Sequence, residues 1–166
     1  MTSKEKMDEN AFANGIINAV VQGEKEIFNQ VFFYGDPVSV RMKIDKLEKK
    51  YRDAYPEKLI VRTNGVDFCS GFICSVIAGT RDAFEKAFRA ADMFIFEGFE
   101  VLSGRQGAEE LFYTLFDVIY ENGGQIVVGA ATKPRDMPSL MPRIRTQLEG
   151  GIISCVDPPR REHIDK

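Results

Sequence analysis

The chain reads as an α/β domain of three layers, a parallel sheet between helices, and two observations carry that reading. Short apolar runs alternate with segments of helical period, which is the signature of consecutive βαβ units. The runs are also β-branched or aromatic on successive positions, as suits strands covered on both faces. Five such strands are predicted, at Gln30 to Tyr34, Lys58 to Arg62, Asp92 to Glu97, Gln125 to Gly129 and Ile152 to Val156.

The helices follow from spacing. A first helix is expected from Ala11 to Val21, with Phe12, Ile16 and Ala19 on one face. Val40, Ile44, Leu47 and Tyr51 recur at i, i+4, i+7 and i+11, while Asp45 with Lys49 and Glu48 with Arg52 form i, i+4 pairs on the wet side. Leu111, Leu115, Val118 and Ile119 repeat the pattern, Phe112 and Phe116 widen the stripe, and Asn122-Gly123-Gly124 supplies the stop before the next strand. The connections are long enough for the right-handed helical crossovers that parallel strands require.

Composition bounds the class. With 166 residues, 44% hydrophobic and 28% charged, the chain can bury a substantial core, and one domain over residues 1–166 is expected, with polar tails at 1–9 and 157–166. No apolar run approaches the roughly 18 residues that span a bilayer, and Met1 to Asn10 is too polar for a signal peptide, so no membrane partner and a cytoplasmic location are expected. The net charge of −3, from 22 basic and 25 acidic residues, argues against a large non-specific nucleic-acid surface. Cys69, Cys74 and Cys155 form no C-x-x-C and read as reduced, mostly buried small hydrophobes; no metal site is expected. His163, the one histidine, stands in a polar tail with no nucleophile beside it.

The segment from Phe33 to Met42 lies after an apolar strand and before an amphipathic helix, where a nucleotide-binding α/β chain carries its phosphate loop. That loop reads G-x-x-x-x-G-K-[ST], with glycines that let backbone N–H groups close on phosphates, a lysine for the β- and γ-phosphates, and a hydroxyl for Mg²⁺. Only Gly35 fits. Val40 takes the second glycine position, Arg41 the lysine position and Met42 the hydroxyl position.

Several strings resemble the AAA+ nucleotide-binding core of the bacterial replication initiator DnaA and its shorter relatives. Asn10-Ala11-Phe12-Ala13 resembles the N-terminal box, and Val31 to Gly35 the strand into the P-loop. Ala91 to Glu97, followed by Val101 to Arg105, resembles the Walker B strand and the turn after it. Glu109 to Phe116 resembles the next helix, Gly124 to Val128 the sensor 1 strand, and Pro138 to Leu140 with Arg143 to Arg145 the arginine-rich box. The resemblance covers roughly residues 10–159 and implies a P-loop NTPase-like sheet in the order 5-1-4-3-2.

Measured against that family, the chemical groups are depleted. Glu97 takes the first Walker B acid position, but Gly98 takes the place of the acid that polarises water. Near sensor 1 only Thr132 offers a hydroxyl, one position late, and the trans-acting arginine finger aligns with Gln147. Arg105 remains in the turn that helps the family hold single-stranded DNA, with Gly107 where a second base is expected. The resemblance stops near residue 159, so no counterpart of a full initiator's lid or helix-turn-helix is expected within these residues.

The residues that remain have ordinary readings as well as functional ones. Arg41 is either a phosphate contact or a solvated arginine at a helix start, and Glu97 either a metal ligand or a strand-end acid. Arg143 and Arg145 are either a docking edge or an exposed helix face, and the cluster of Lys43, Lys46, Lys49, Lys50 and Arg52 is interleaved with acids as on a solvated helix. The leading expectation is a catalytically inactive DnaA-like domain that binds no cofactor and docks on an initiator or other AAA+ protein. Arg143, Arg145, Arg105 and an exposed Phe99 are its contact residues, with self-association compatible. Residual ATP or ADP binding without hydrolysis, through Arg41 and the helix N-terminus, is one alternative. A single-stranded DNA accessory using Arg105 is the other.

Overall fold

The computed structural model describes residues 3–24 and 28–158, and side chains from residue 10 onward. Helix α1 (Ser3–Val21) leads into β1 (Gln30–Gly35), α2 (Pro37–Ala54) and β2 (Ile60–Asn64). Two helices follow, α3 (Gly65–Ala78) and α4 (Arg81–Arg89), then β3 (Met93–Glu97) and a 3₁₀ turn at Phe99–Leu102. The chain continues through α5 (Gln106–Glu121), β4 (Gln125–Ala130), a second 3₁₀ turn at Pro134–Asp136, α6 (Pro142–Glu149) and β5 (Ile152–Val156).

The five strands form one parallel sheet in the order β2-β3-β4-β1-β5. Read from the other edge this is 5-1-4-3-2, the expected order. The interior strands β1, β3 and β4 are almost wholly buried, whereas every residue of the edge strand β2 is partly exposed. Position in the sheet, rather than strand composition, sets that difference.

Each face of the sheet carries its own core. On one side α1 and α2 cover Val31, Phe33, Met93, Ile95 and Val127. On the other, α3 to α6 cover an aromatic cluster in which Phe68, Phe94, Phe96, Phe99 and Phe112 are fully buried. Ring centroids 4.8–6.2 Å apart, mostly edge to face, link Phe94, Phe96, Phe99 and Phe112. Such pairs add about 0.5–1.5 kcal/mol each beyond area burial. Phe99 therefore belongs to the core at 0% exposure and is not a surface anchor as the sequence suggested.

Other expectations are corrected locally. Helix α1 begins at Ser3, not Ala11, so most of the segment read as a polar tail is helical; its buried face is Ala13, Ile16, Ile17 and Val20, with Phe12 53% exposed. Helices α3 and α4 were not among the expected elements; α3 is not periodic, whereas α4 places Phe84 and Phe88 at i, i+4 among charged residues. The boundaries of α3 are nevertheless capped: the Asn64 side chain accepts from the Asp67 N–H, and Gly79 ends the helix in the left-handed region at φ 70°. Of the cysteines only Cys69 is buried; Cys74 is exposed and Cys155 intermediate. The tail beyond Pro158, with His163, lies outside the described residues. No helix among the described residues is long and apolar enough to cross a membrane.

Candidate functional site

A cleft of about 220 Å³ opens at the carboxyl ends of β1, β3 and β4, where open α/β sheets place their ligands. Its walls include Val40 and Arg41 from the start of α2, Glu97 and Gly98 from the end of β3, and Gly129 to Ala131 from the end of β4. Thus Val40, Arg41 and Glu97 converge there, as their positions in the sequence predicted.

The start of α2 is closed by its own residues. Asp36 caps the helix, its carboxylate accepting from the Ser39 N–H at 3.0 Å and the Ser39 hydroxyl at 2.9 Å. The Asp36 carbonyl takes the Val40 N–H at 2.9 Å, and Pro37 in the first turn has no N–H at all. A helix N-terminus attracts anions through these donors and the macrodipole. Here an internal carboxylate fills that role.

Gly35 is held for a different reason than phosphate access. Its φ is 135°, and a Cβ at this position would stand 2.2 Å from the Val156 carbonyl oxygen. Close approach of β1 to β5 therefore excludes any other residue. Val40, 6% exposed, packs toward Gly129, where an added Cβ would meet Ile44 at 2.7 Å and Val40 at 3.0 Å. Met42 points away from the core and is 63% exposed.

Glu97 is not a free acid. Arg62 on β2 donates to both its oxygens, Nε at 2.8 Å and Nη2 at 2.9 Å. The same guanidinium reaches Glu48 at 2.7 Å and Asp45 at 2.8 Å, both on α2. Arg52 pairs with the other Glu48 oxygen at 2.5 Å, and exposed Arg41 stands 3.9 Å from Glu97. Asp45 thus pairs with Arg62, and Lys49 with Asp53 at 3.1 Å, rather than with one another as helical spacing implied. The hydrogen bonds it donates to Glu97 hold Arg62 firmly ionised against the desolvation that opposes its charge; those to Glu48 and Asp45 add to this.

Arg62 is the residue that sequence reading missed. It was taken as the end of an apolar strand. A guanidinium within a sheet needs carboxylate partners, and the acids on α2 and at the end of β3 were the available ones. Among the described residues no group of three or more His, Cys, Asp or Glu side chains is arranged to hold a metal ion.

The remaining positions divide between cleft and brace. Gly98 adopts φ 58°, a conformation that disfavours a side chain, and its carbonyl lies where a Cβ on Gly65 would come within 2.5 Å. Thr132 is exposed, and the neighbouring Ala131 N–H donates to Glu100 at 2.8 Å. Buried Glu109 accepts from the Gly104 N–H at 2.9 Å and the Met141 N–H at 2.8 Å, tying the turn before α5 to the start of α6. Gln147 turns onto α5 and donates to Asp117 at 3.0 Å. Arg145 donates to the carbonyls of Pro134, Met137 and Leu140, so it braces the loop before α6 and is not offered freely to a partner. Arg143 is exposed, its guanidinium 4.6 Å over the Tyr113 ring. Arg105 is also exposed, its Nε donating to the Val101 carbonyl at 2.9 Å.

The chain belongs to the bacterial DnaA ATPase domain family, whose model matches residues 6–155. It is 26% identical over 154 residues to the chromosomal replication initiator protein DnaA of Corynebacterium jeikeium, a match covering 92% of this chain and 26% of that protein. The chain therefore spans about a quarter of the length of the curated relatives it matches. Domain III of the Thermotoga maritima replication initiation protein DnaA superposes with a TM-score of 0.85 at 17% identity, covering 92% of this chain and 64% of that one. A replication initiator DnaA bound to AMPPCP and single-stranded DNA superposes at 0.81 and 18% identity, covering 90% and 46%. These structural likenesses establish the fold.

Proposed function

We propose that this chain is a catalytically inactive DnaA-like AAA+ domain, acting as a protein interaction module in replication initiation or its regulation. The observation that carries the proposal is the bidentate hold of Arg62 on Glu97. The acid in the Mg²⁺-ligating position is committed to an internal cation. The residues present do not fit a magnesium nucleotide. Asp36 occupies the anion-accepting helix end, Met42 supplies no hydroxyl, and Gly98 and Gln147 supply neither a base nor a transition-state cation.

In this reading the scaffold serves as a surface. The partner is an initiator or another AAA+ protein, and the docking residue is Arg143 on α6, exposed and positioned over Tyr113. Arg145 supports that face from behind through its three carbonyl contacts. The test is sedimentation of the chain with an initiator ATPase from the same host, comparing wild type with Arg143→Glu. Co-sedimentation that the variant loses supports the proposal. No association with that ATPase, together with salt-dependent binding of single-stranded DNA lost in Arg105→Ala, would replace it with a nucleic-acid role.

A further inference from the structure

Helix α2 sorts its charges by side. Asp45 and Glu48 turn to Arg62, Glu48 also takes Arg52, and Lys49 pairs with Asp53. Lys43, Lys46 and Lys50, at i, i+3 and i+7, face α1 instead, and among the described residues none of the three is in an ion pair. Helix α1 has no acid to offer them from Asn10 to Val21. It offers amides: Asn14 Oδ1 accepts from Lys43 at 2.8 Å and from Lys46 at 3.2 Å, and Asn18 Oδ1 accepts from Lys50 at 3.2 Å. Two ammoniums on one neutral oxygen stand within about 6 Å of each other, with no negative charge between them. Burial, and then Lys46, hold the Lys43 ammonium below its ordinary pKa.

At the Lys43 end of this row a pocket of about 160 Å³ lies between α1 and α2, lined by Asn10, Ser39, Met42, Lys43, Lys46 and Asp157. Met42 and the aliphatic stems of the lysines are its apolar part. Its polar part is mostly acceptors. Asn10 Oδ1 is buried with no hydrogen-bond partner among the described residues, and Asp157 meets only the Cys155 thiol at 3.8 Å and no cation.

We propose that the groove between α1 and α2 binds an acidic peptide segment of a partner protein, with an apolar side chain in the pocket and carboxylates on Lys46 and Lys50. Charge complementarity is one ground, since three ammoniums in a row have only neutral partners within the chain. Spacing is another: Lys46 and Lys50 are one turn apart, about 6 Å along α2, close to the roughly 6.6 Å between alternate residues of an extended chain. The acceptors decide between a peptide and a nucleic acid. Peptide N–H groups satisfy Asn10 Oδ1 and Asp157, whereas a phosphate backbone brings only acceptors and further negative charge to that end. The groove shares no residue with the Arg143 face on α6 and does not rest on docking there.

The experiment is fluorescence anisotropy of the full chain with a labelled synthetic peptide of about twelve residues, carrying a leucine with glutamates two and four positions after it. The same peptide with glutamines, and a single-stranded DNA of equal length, are the comparisons. The expected result is saturable, salt-sensitive binding of the glutamate peptide below about 1 mM, weakened about tenfold in a Lys46→Gln, Lys50→Gln double variant and unchanged in Arg143→Glu. Both lysines are exposed, so the double variant should keep the wild-type melting curve. Asn10→Ala changes no charge and should also weaken the peptide, which diffuse attraction would not do. Absence of saturable binding, equal affinity for the glutamine peptide, or an Asn10→Ala variant indistinguishable from wild type overturns the proposal. Tighter binding of the DNA, lost in the double variant, also overturns it and makes the row of lysines a phosphate-binding surface.

Discussion

Arg62 holds Glu97 at both oxygens, 2.8 and 2.9 Å away, and joins the edge strand β2 to the interior strand β3 where a nucleotide site would need a free acid. One guanidinium also serves Glu48 and Asp45 on α2. The ion cluster therefore links helix to sheet across the rim of the cleft. Its side chains are only 19–25% exposed at Arg62, Glu48 and Glu97, so solvent screens them less than surface pairs.

Removing the shared cation leaves three carboxylates facing one another. Arg62→Met should cost about 2–3 kcal/mol, below the figure for a fully buried pair because solvent still reaches the site. For a chain of this size that is a melting-temperature loss of about 5–10 °C. Arg62→Lys should recover only part of it, since an ammonium cannot span both oxygens of Glu97. Urea denaturation of the three proteins measures the differences.

The same cluster gives a pH dependence through Glu48. Burial alone would raise its carboxyl, but hydrogen bonds and charge from Arg62 and Arg52 outweigh burial and hold it below its ordinary value. A carboxylate depressed in the folded state adds stability that is fully present above its unfolded pKa and is lost as pH falls through the folded value. The urea midpoints of wild type and Glu48→Gln should thus differ by a constant amount near neutral pH. The gap should close below about pH 4.5. A gap that widens in acid would assign the effect to another group.

The sheet was readable from the sequence because buried parallel strands leave a local mark, an uninterrupted apolar run. Strand β5 matches its expected bounds, Ile152 to Val156. Helix α4 did carry a helical period, Phe84, Ala87 and Phe88 at i, i+3 and i+4 among charges, but its nine residues are too few to stand out, and α3 left no such mark. The α3 segment, GVDFCSGFICSVIA, shows no polar face against which a helical period can be seen, and its caps, Asn64 and Gly79, were the available signal. The positions lining the cleft were also readable, since Val40 and Arg41 follow from their place between strand and helix, and Glu97 from the resemblance to a Walker B strand. What holds them was not: Arg62 lies 35 residues from Glu97, and sheet register alone brings them together. Phe99 was misplaced because proximity to a functional strand end says nothing about burial.

Phe99 distinguishes a core role from a docking role. Its ring lies 4.8 Å from Phe112 and 5.5 Å from Phe96, with no exposure. Phe99→Ala should destabilise by about 3–5 kcal/mol through lost burial and the cavity left behind. A surface anchor would leave the denaturation midpoint within about 0.5 kcal/mol of wild type.

Gly35 is constrained by fold rather than by a ligand. A methyl group there would stand 2.2 Å from the Val156 carbonyl in a conformation, φ 135°, that side chains rarely adopt. Gly35→Ala should destabilise by about 2 kcal/mol or more, with β1 and β5 forced apart. Amide exchange should be fastest relative to wild type at Asp36, whose N–H donates to the Val156 carbonyl at 3.2 Å. An unchanged midpoint would mean that the strands separate without cost.

Asp36 tests whether the cleft has been closed to anions. Its carboxylate satisfies the Ser39 N–H and hydroxyl, so Asp36→Ala should lower stability by about 1 kcal/mol, the usual loss for a helix cap. The same change removes a negative charge from the end of α2 that would attract phosphate. Calorimetry of wild type with Mg²⁺ and ATP should show no saturable binding below about 1 mM, and Asp36→Ala should move affinity upward if at all. Loss of stability with unchanged or improved anion binding is the combination that a self-capped helix end produces. A low-micromolar dissociation constant in wild type, weakened by Arg41→Ala, would instead make Arg41 a phosphate ligand and the domain a nucleotide binder.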